Sequence, residues 1–252
     1  MILILKNPLK YDIMLGLPQR RQRSTDLHQR QVKQLTTDRL YPVTKKDFPG
    51  LEALLTECFR DDPLYRTLIP DPELREKLLP SLFKCDLEEF EHSCEIYADS
   101  PELNGLILVS DEDEPYNAVR YWFDEAAAEL KTDSFLLMKD PSLMLIRNFT
   151  KGREYLSSEW TEELNCDKRI HIIYLAVSPS KRHHGITDRL LGAVTEYADA
   201  HGLMLSLETH NPANVDMYRH FGYGVYRVIE RIPGLCQFCM VRYPKSVPAV
   251  PQ

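Results

Sequence analysis

The sequence contains no uninterrupted apolar run that approaches ~20 residues, the length that a membrane-spanning helix requires. It lacks the P-loop motif GxxxxGK(S/T), and no GxGxxG follows a strand-like segment, so nucleotide kinases and dinucleotide enzymes are not indicated. Its six cysteines have no spacing typical of a disulfide framework. One CxxC, Cys236 to Cys239, has no second pair to complete a zinc site. We therefore expect a cytoplasmic protein with reduced thiols, without a membrane span or a metal.

Positive charge is also in short supply, since the 252 residues carry a formal net charge of −7. A general nucleic-acid binder usually presents a basic face, so that class of protein is disfavoured. Residues 1–39 are the exception, because arginines gather there, and salt-sensitive RNA binding by this segment is an open alternative. Its apolar residues precede its arginines, which is the reverse of a secretory signal. We expect residues 1–39 to form a flexible arm, with a transit peptide as the alternative.

The rest of the sequence has the composition of a globular protein, and 43% hydrophobic residues are enough for a sizeable core. Hydrophobic periodicity and turn signals predict one mixed α/β domain over 40–243 and a flexible proline-rich tail over 244–252. The predicted helices are 48–59, 74–92 with a bend or break at Pro80, two stretches within 125–165, 185–200, and one that begins at Asn211–Pro212. The predicted strands are 40–44, 94–98, 105–110, 169–177, 203–209, 223–232 and 235–243. A proline-rich loop is predicted for 60–73.

The stretch 177–191, VSPSKRHHGITDRLL, reads as a strand end, a proline turn, a cluster of cations, a glycine and a helix. The first turn of a helix has free main-chain N–H groups whose dipoles attract anions. Lys181 and Arg182 add positive potential, and Gly185 lets a ligand approach the backbone closely. The stretch therefore predicts a site for a pyrophosphate or a similar anion.

Three segments resemble the GCN5-related N-acetyltransferases (the GNAT superfamily). LAVSPSKRHHGIT resembles their acetyl-CoA loop, V-x-P-x-x-(R/Q)-x-x-G-(I/L/V)-(G/A), although Thr187 replaces the usual glycine or alanine. LETHNPANVDMYRHFGY, 207–223, resembles the segment that follows that loop. Residues 58–83, together with the other two segments, resemble the puromycin-acetyltransferase-like branch, which acetylates small amines.

The resemblance implies a GNAT fold, an α/β (mixed α+β) arrangement with helices on both sides of a central mixed sheet. That sheet is mostly antiparallel, and acetyl-CoA enters between one pair of parallel strands that splay apart. The residues that would bind the coenzyme by this resemblance are Leu175, Ala176, Val177, Arg182, His183, His184, Gly185, Ile186, Thr187 and Asn211.

For the chemistry, the resemblance places Tyr218 as the general acid beside the sulfur of the thioester. Many relatives carry a glutamate on the strand before the loop, but Ile173 occupies that position here. Glu208 on the next strand is the candidate base, and a structural role as an acceptor for backbone donors is an equal alternative for it. His171 and Tyr174 are weaker candidates for the base.

The resemblance also places Asp62 and Tyr65 at the border of the acceptor pocket, where a carboxylate favours a cationic amine. The alternative for Asp62 is that it caps the turn before Pro63. The implied function is transfer of an acetyl group from acetyl-CoA to a primary amine of a small molecule. The alternatives are a protein or peptide amine as acceptor, or a catalytically silent acyl-CoA-binding module. A homodimer is a further possibility.

Overall fold

The structure, a computed structural model, describes residues 39–91, 94–111, 143–156, 158–164, 166 and 168–245. All of these residues fall within one compact unit. The predicted arm apart from residue 39, the predicted tail after residue 245 and most of the helical stretches predicted within 125–165 lie outside the described residues. The predicted domain boundaries therefore stay predictions.

A seven-stranded sheet in the order β1-β2-β3-β4-β5-β7-β6 is the centre of the described structure. The strands are β1 Tyr41–Pro42, β2 Glu95–Ala98, β3 Gly105–Asp111, β4 Arg169–Val177, β5 Met204–Thr209, β6 Gly224–Ile232 and β7 Leu235–Arg242. Only β4 and β5 pair in parallel, and every other neighbouring pair is antiparallel. This arrangement confirms the predicted fold class.

Helices cover both faces of the sheet. They are α1 Phe48–Phe59, α2 Pro63–Leu68, α3 Pro72–Phe90, α4 Met144–Gly152, α5 Ile186–His201 and α6 Ala213–His220. Short 3₁₀ segments lie at Lys45–Asp47, Arg153–Leu156, Glu159–Leu164 and Pro179–Lys181. Helices α1 to α4 contribute to one hydrophobic core and helices α5 and α6 to the other, so the sheet has a buried apolar face on each side.

Two local predictions in the first half of the chain are wrong. The proline-rich stretch 60–73 contains helix α2, because the side chain of Asp62 accepts a hydrogen bond from the N–H of Leu64 (2.9 Å) and Pro63 occupies the first helical position. Helix α3 is continuous from Pro72 to Phe90, so the predicted break at Pro80 is wrong, while the predicted bend stays a prediction. A proline inside a helix lacks the N–H of its own hydrogen bond and crowds the carbonyl four residues earlier, but the packing of the buried residues on both sides of Pro80 holds the helix together.

Strands β4 and β5 splay apart, as the resemblance implies. They pair only from Arg169 with Met204 to Ile172 with Leu207, although β4 continues to Val177. At the point of separation a bulge interrupts the register between β4 and β3, with Ile173 as the extra residue. The bulge turns both Ile173 and Tyr174 toward the core formed with α1 to α4.

Candidate active site

The turn between β4 and α5 leaves a run of main-chain N–H groups without acceptors. His183 has φ of 63° and Gly185 has φ of 74°, so two left-handed residues curl the chain before α5 begins. In the part of the chain that the structure describes, the N–H groups of residues 182–188 donate to no main-chain carbonyl. Such N–H groups, at the positive end of a 16-residue helix, form an anion-binding concavity.

The side chains of this turn are compatible with a bound diphosphate. Lys181, Arg182, His183 and His184 are exposed, and Thr187 is half-buried. A Cβ built on Gly185 meets no atom within 4 Å, so the space beside its backbone is open to a ligand. The ring Nδ1 of His184 lies 2.7 Å from the carbonyl oxygen of Arg182, which stabilises the turn locally.

The end of β4 has one free edge. Leu175, Ala176 and Val177 pair with β3 on one side, and on the other side β5 has already separated from them. The carbonyl of Val177 accepts a hydrogen bond from the thiol of Cys58 on α1 (3.3 Å). Burial raises the pKa of this thiol to about 11, while the nearby charge of Arg182 acts in the opposite direction. Cys58 is therefore a protonated donor at neutral pH, and the remaining polar groups of this edge are available to an extended ligand.

Tyr218 is buried on α6, with 6% of its surface exposed. Its ring contacts the ring of Tyr223 edge to face, and within the described residues its hydroxyl makes no hydrogen bond. Burial raises the pKa of Tyr218 well above its usual value, and the negative charges of Asp62 and Glu208 raise it further. The hydroxyl is therefore protonated and free to donate to a ligand.

Glu208 on β5 is held by two neighbours. The hydroxyl of Ser158 donates to its Oε1 (2.7 Å), and Nε2 of His171 lies 3.0 Å from its Oε2. Burial raises the pKa of Glu208, but the charge and hydrogen bond of His171 together with the hydrogen bond from Ser158 outweigh burial and hold this pKa below its usual value. Glu208 is therefore an anion at neutral pH, which makes it a weak base.

Asp62 and Tyr65 lie at the start of helix α2. Asp62 is the N-cap of α2, which is the alternative given above for this residue, and burial raises its pKa to about 6. Tyr65 is buried, and its ring contacts Phe59 and Phe83 edge to face, at 6.1 and 5.4 Å between centroids. Because the charge of Asp62 acts on the hydroxyl of Tyr218, α2 contributes negative charge to the same region as β5.

Sequence reasoning missed two polar residues near this region. Asp86 on α3 accepts a hydrogen bond from the hydroxyl of Tyr174 (2.5 Å), and burial raises its pKa to about 6. Ser158 lies between two short 3₁₀ segments and contacts Glu208. Asp86 could have been noticed in the sequence as an acidic residue on the apolar side of α3, whereas nothing in the sequence indicates Ser158.

Besides burial, the negative charges of Asp62 and Glu208 both raise the pKa of Tyr218, so these three side chains interact electrostatically. Asn211 has a local role, because its Oδ1 accepts a hydrogen bond from the N–H of Ala213 (3.1 Å) at the start of α6. This contact confirms the predicted helix start. Among the described residues no group of three His, Cys, Asp or Glu side chains is arranged to hold a metal ion. No helix in the described ranges is long and apolar enough to cross a bilayer.

Comparisons with known proteins agree with this arrangement. Residues 148–223 match the model of the acetyltransferase (GNAT) family. No curated protein matches the chain at a significant level. A solved structure of a histone acetyltransferase HPA2 and related acetyltransferase from Corynebacterium glutamicum is 22% identical, covers 84% of this chain and 98% of its own, and superposes with a TM-score of 0.56.

Two other solved structures are more distant. Arylalkylamine N-acetyltransferase 2 from Aedes aegypti is 15% identical, with 82% of this chain and 99% of its own covered and a TM-score of 0.47. PaiA N-acetyltransferase from Thermoplasma acidophilum, in complex with coenzyme A, is 14% identical, with 81% and 97% covered and a TM-score of 0.46. Residues 148–223 are thus similar in sequence to the acetyltransferase (GNAT) family, and the described fold is similar to that of the solved acetyltransferase structure from Corynebacterium glutamicum.

Proposed function

We propose that this protein is an N-acetyltransferase that transfers an acetyl group from acetyl-CoA to a primary amine of a small molecule. The observation that carries the proposal is the run of unpaired N–H groups at residues 182–188, beside the free edge of β4 and inside the segment that matches the family. Main-chain donors at a helix N-terminus bind a diphosphate. The free edge of a strand binds an extended amide-containing arm such as pantetheine.

Tyr218 would act on the leaving group. The amine forms a bond to the carbonyl carbon, the bond from that carbon to sulfur breaks, and the sulfur needs a proton. Free tyrosine has a pKa near ~10 and a thiol near ~8.5, so complete transfer from a tyrosine to a thiolate is uphill, and a raised pKa for Tyr218 makes it more so. Tyr218 therefore donates a hydrogen bond to the developing thiolate and passes its proton on as it receives one from the attacking amine.

The charge of the site supports a cationic acceptor. Glu208 and Asp62 each place negative charge near the Tyr218 hydroxyl, and no lysine or arginine in the described ranges forms an ion pair with either carboxylate. An ammonium group gains electrostatic energy there, and a carboxylate or a phosphate ester would lose it.

A thiol-release assay with acetyl-CoA and a panel of small amines tests the proposal. The panel also includes peptides with a free N-terminus or a lysine, which is the runner-up class of acceptor. Turnover with one or more small amines, above the rate with peptides, supports the proposal. Faster turnover with a peptide would show that the acceptor is a peptide amine and not a small molecule. Binding of acetyl-CoA without turnover across the panel would indicate a silent acyl-CoA-binding module. We place this activity in the cytosol, where the six free thiols would stay reduced.

A further inference from the structure

Four polar side chains meet on one face of β4 and β5, beneath the segment that joins two 3₁₀ turns. Ser158 Oγ lies 2.7 Å from Glu208 Oε1 and 2.9 Å from His171 Nε2. His171 Nε2 lies 3.0 Å from Glu208 Oε2, and its Nδ1 lies 2.9 Å from Ser206 Oγ. His171 and Ser206 are buried, with 3% and 0% of their surfaces exposed. This is a compact hydrogen-bonded group, built from three separate parts of the chain.

The positions of the hydrogens follow from the number of donors. The single hydroxyl hydrogen of Ser158 is donated to Glu208, so the Ser158 oxygen accepts from His171. This arrangement requires a hydrogen on Nε2 of His171, where it faces both the Ser158 oxygen and the Glu208 carboxylate. Nδ1 of His171 forms a hydrogen bond with the hydroxyl of Ser206 at 2.9 Å. Oε1 of Glu208 thus accepts a hydrogen bond from Ser158, whereas the buried Oε2 lies 3.0 Å from Nε2 of His171 as an ion-pair contact and accepts no hydrogen bond from the described residues.

Among the described residues, the ion-pair partner of Glu208 is His171, whose Nε2 lies 3.0 Å from Oε2 and whose charge helps to lower the pKa of Glu208 against the effect of burial. The titratable groups that face it are His171 on β4, His210 just after β5, Tyr218 on α6 and Cys239 on β7. Burial lowers the pKa of His210 to about 4 and raises the pKa of Cys239 to about 12, so both are neutral at physiological pH. Beyond His171, no cationic side chain of the described residues forms an ion pair with Glu208.

We propose that Ser158 and His171 are positioning residues that fix the Glu208 carboxylate toward Tyr218, where it binds the acceptor amine in its ammonium form. This inference rests on the proposed function for the identity of the ligand, but not for the hydrogen-bonded group itself. Glu208 then orients the amine by charge, and water takes the proton that the ammonium must release before it attacks the thioester. The alternative role of Glu208 as the general base is disfavoured, because a carboxylate held in its charged form accepts a proton poorly.

The positioning is tested by carbon-13 NMR of side-chain carboxyls, with Glu208 assigned through the signal that Glu208→Gln removes. The wild-type Glu208 is expected to titrate below the ordinary glutamate value of ~4.3, and Ser158→Ala is expected to move its midpoint upward. Ser158→Thr, which keeps the hydroxyl, restores the wild-type midpoint, and Ser100→Ala in the β2–β3 turn leaves it unchanged. Equal midpoints in wild type and Ser158→Ala overturn the proposal. If Ser158→Ala does not fold, a wild-type midpoint above ~4.3 overturns it as well.

The ammonium part is tested with an amine that the protein acetylates. Ser158→Ala is expected to raise the KM for that amine about tenfold, as the loss of one hydrogen bond to a charged group predicts, with little change in the KM for acetyl-CoA. The acid limb of the kcat/KM profile moves upward by the shift seen in the NMR titration. A moved midpoint without acetyl transfer to any amine refutes the proposed function and supports the positioning. Transfer with identical midpoints and identical amine KM values refutes the positioning alone.

Discussion

The rings of Tyr218 and Tyr223 meet edge to face with their centroids 5.8 Å apart, and the buried hydroxyl of Tyr223 has no hydrogen-bond partner among the described residues. Both rings are buried, with 6% and 3% of their surfaces exposed. The two hydroxyls differ in what surrounds them: the charges of Asp62 and Glu208 act on Tyr218, whereas Tyr218 and, in the opposite direction, the charge of Arg242 act on Tyr223. The same substitution, tyrosine to phenylalanine, can therefore be made at both positions, and only at Tyr218 does it remove a hydroxyl from the candidate site.

Tyr218→Phe is expected to lower kcat for acetyl transfer about 100-fold, because general acid catalysis contributes a factor of that order. The phenyl ring keeps the edge-to-face contact, so the free energy of unfolding and the affinity for acetyl-CoA are expected to stay close to the wild type. Steady-state thiol release and urea unfolding of the same preparation measure both quantities.

Tyr223→Phe is the matched control. It deletes a buried hydroxyl without a partner in the described structure, and replacing such a group with hydrogen is neutral or slightly stabilising. We expect wild-type kcat for this variant. Equal kcat in wild type and Tyr218→Phe, or equal losses in both variants, would remove Tyr218 from the reaction.

Asp62→Asn is expected to raise the KM for a cationic amine about tenfold while kcat changes little, because it removes a negative charge that faces the acceptor. Helix α2 should persist, since asparagine caps a helix as well as aspartate does. Asp71→Asn is the control: Asp71 caps α3 in the same way, with its side chain accepting from Glu73 and Leu74, but in an exposed position. A similar rise in the amine KM in both variants would contradict a role for Asp62 in acceptor binding.

The same substitution has a stability signature. Burial raises the pKa of Asp62 to about 6 from 3.8, so the folded state binds more protons than the unfolded state between these two values. Its contribution to the free energy of unfolding is therefore largest below pH 3.8 and declines as the pH rises to about 6. Asp62→Asn removes this decline. Urea unfolding from pH 3.5 to 7.5 should show that the variant gains stability relative to the wild type as the pH rises.

Asp199→Asn is expected to destabilise the protein by about 3 kcal/mol at neutral pH, because it leaves a buried guanidinium without its charge partner. Arg242 donates from Nη1 and Nη2 to the two carboxylate oxygens of Asp199, each at 2.8 Å, and joins the end of β7 to α5. These hydrogen bonds lower the pKa of Asp199 against the opposing effect of burial. The contribution of Asp199 to the free energy of unfolding is thus complete at pH values above the ordinary pKa of aspartate. It is lost as the pH falls through the lowered pKa of Asp199 in the folded protein.

Asp216→Asn is the control for this pair. Asp216 and Arg219 form an ion pair on α6 at 2.9 Å, but their side chains are 87% and 58% exposed. Such surface pairs contribute about 0 to 1 kcal/mol, so little change in the urea midpoint is expected at any pH. A loss in Asp199→Asn no larger than that in Asp216→Asn would show that Asp199 and Arg242 add nothing beyond a surface contact.

Local signals were enough to predict much of this fold. Residues close together in the sequence determine four of its features: the apolar β-branched run of β4, the helix that follows it, the glycine stop at Gly202 and the asparagine cap at Asn211. The three segments that resemble the GNAT superfamily then placed the splayed strands. The prediction of a loop for 60–73 was wrong because proline was interpreted as a loop residue. Pro63 follows the N-cap Asp62 and begins helix α2.

The group around Glu208 was beyond prediction for a different reason. Ser158, His171 and Glu208 lie far apart in the sequence, and they meet only because β4 and β5 pair in parallel for four residues. Strand alternation places His171 and Ser206 on one face, since they are register partners. Ser158 comes from an irregular segment with no periodicity, so no pattern in the sequence indicates where its hydroxyl lies.

The central claim is that the turn before α5 binds acetyl-CoA through its main-chain N–H groups, and calorimetric titration of acetyl-CoA into a pair of glycine variants tests it most directly. Gly185 and Gly202 both have positive φ, 74° and 67°, and a Cβ on either meets no atom within 4 Å. Gly185→Ala and Gly202→Ala therefore carry the same backbone strain, about 1 to 2 kcal/mol, at opposite ends of α5. We predict wild-type affinity in Gly202→Ala and at least tenfold weaker binding in Gly185→Ala. Equal affinity in the two variants, or no heat of binding in the wild type, would contradict the claim.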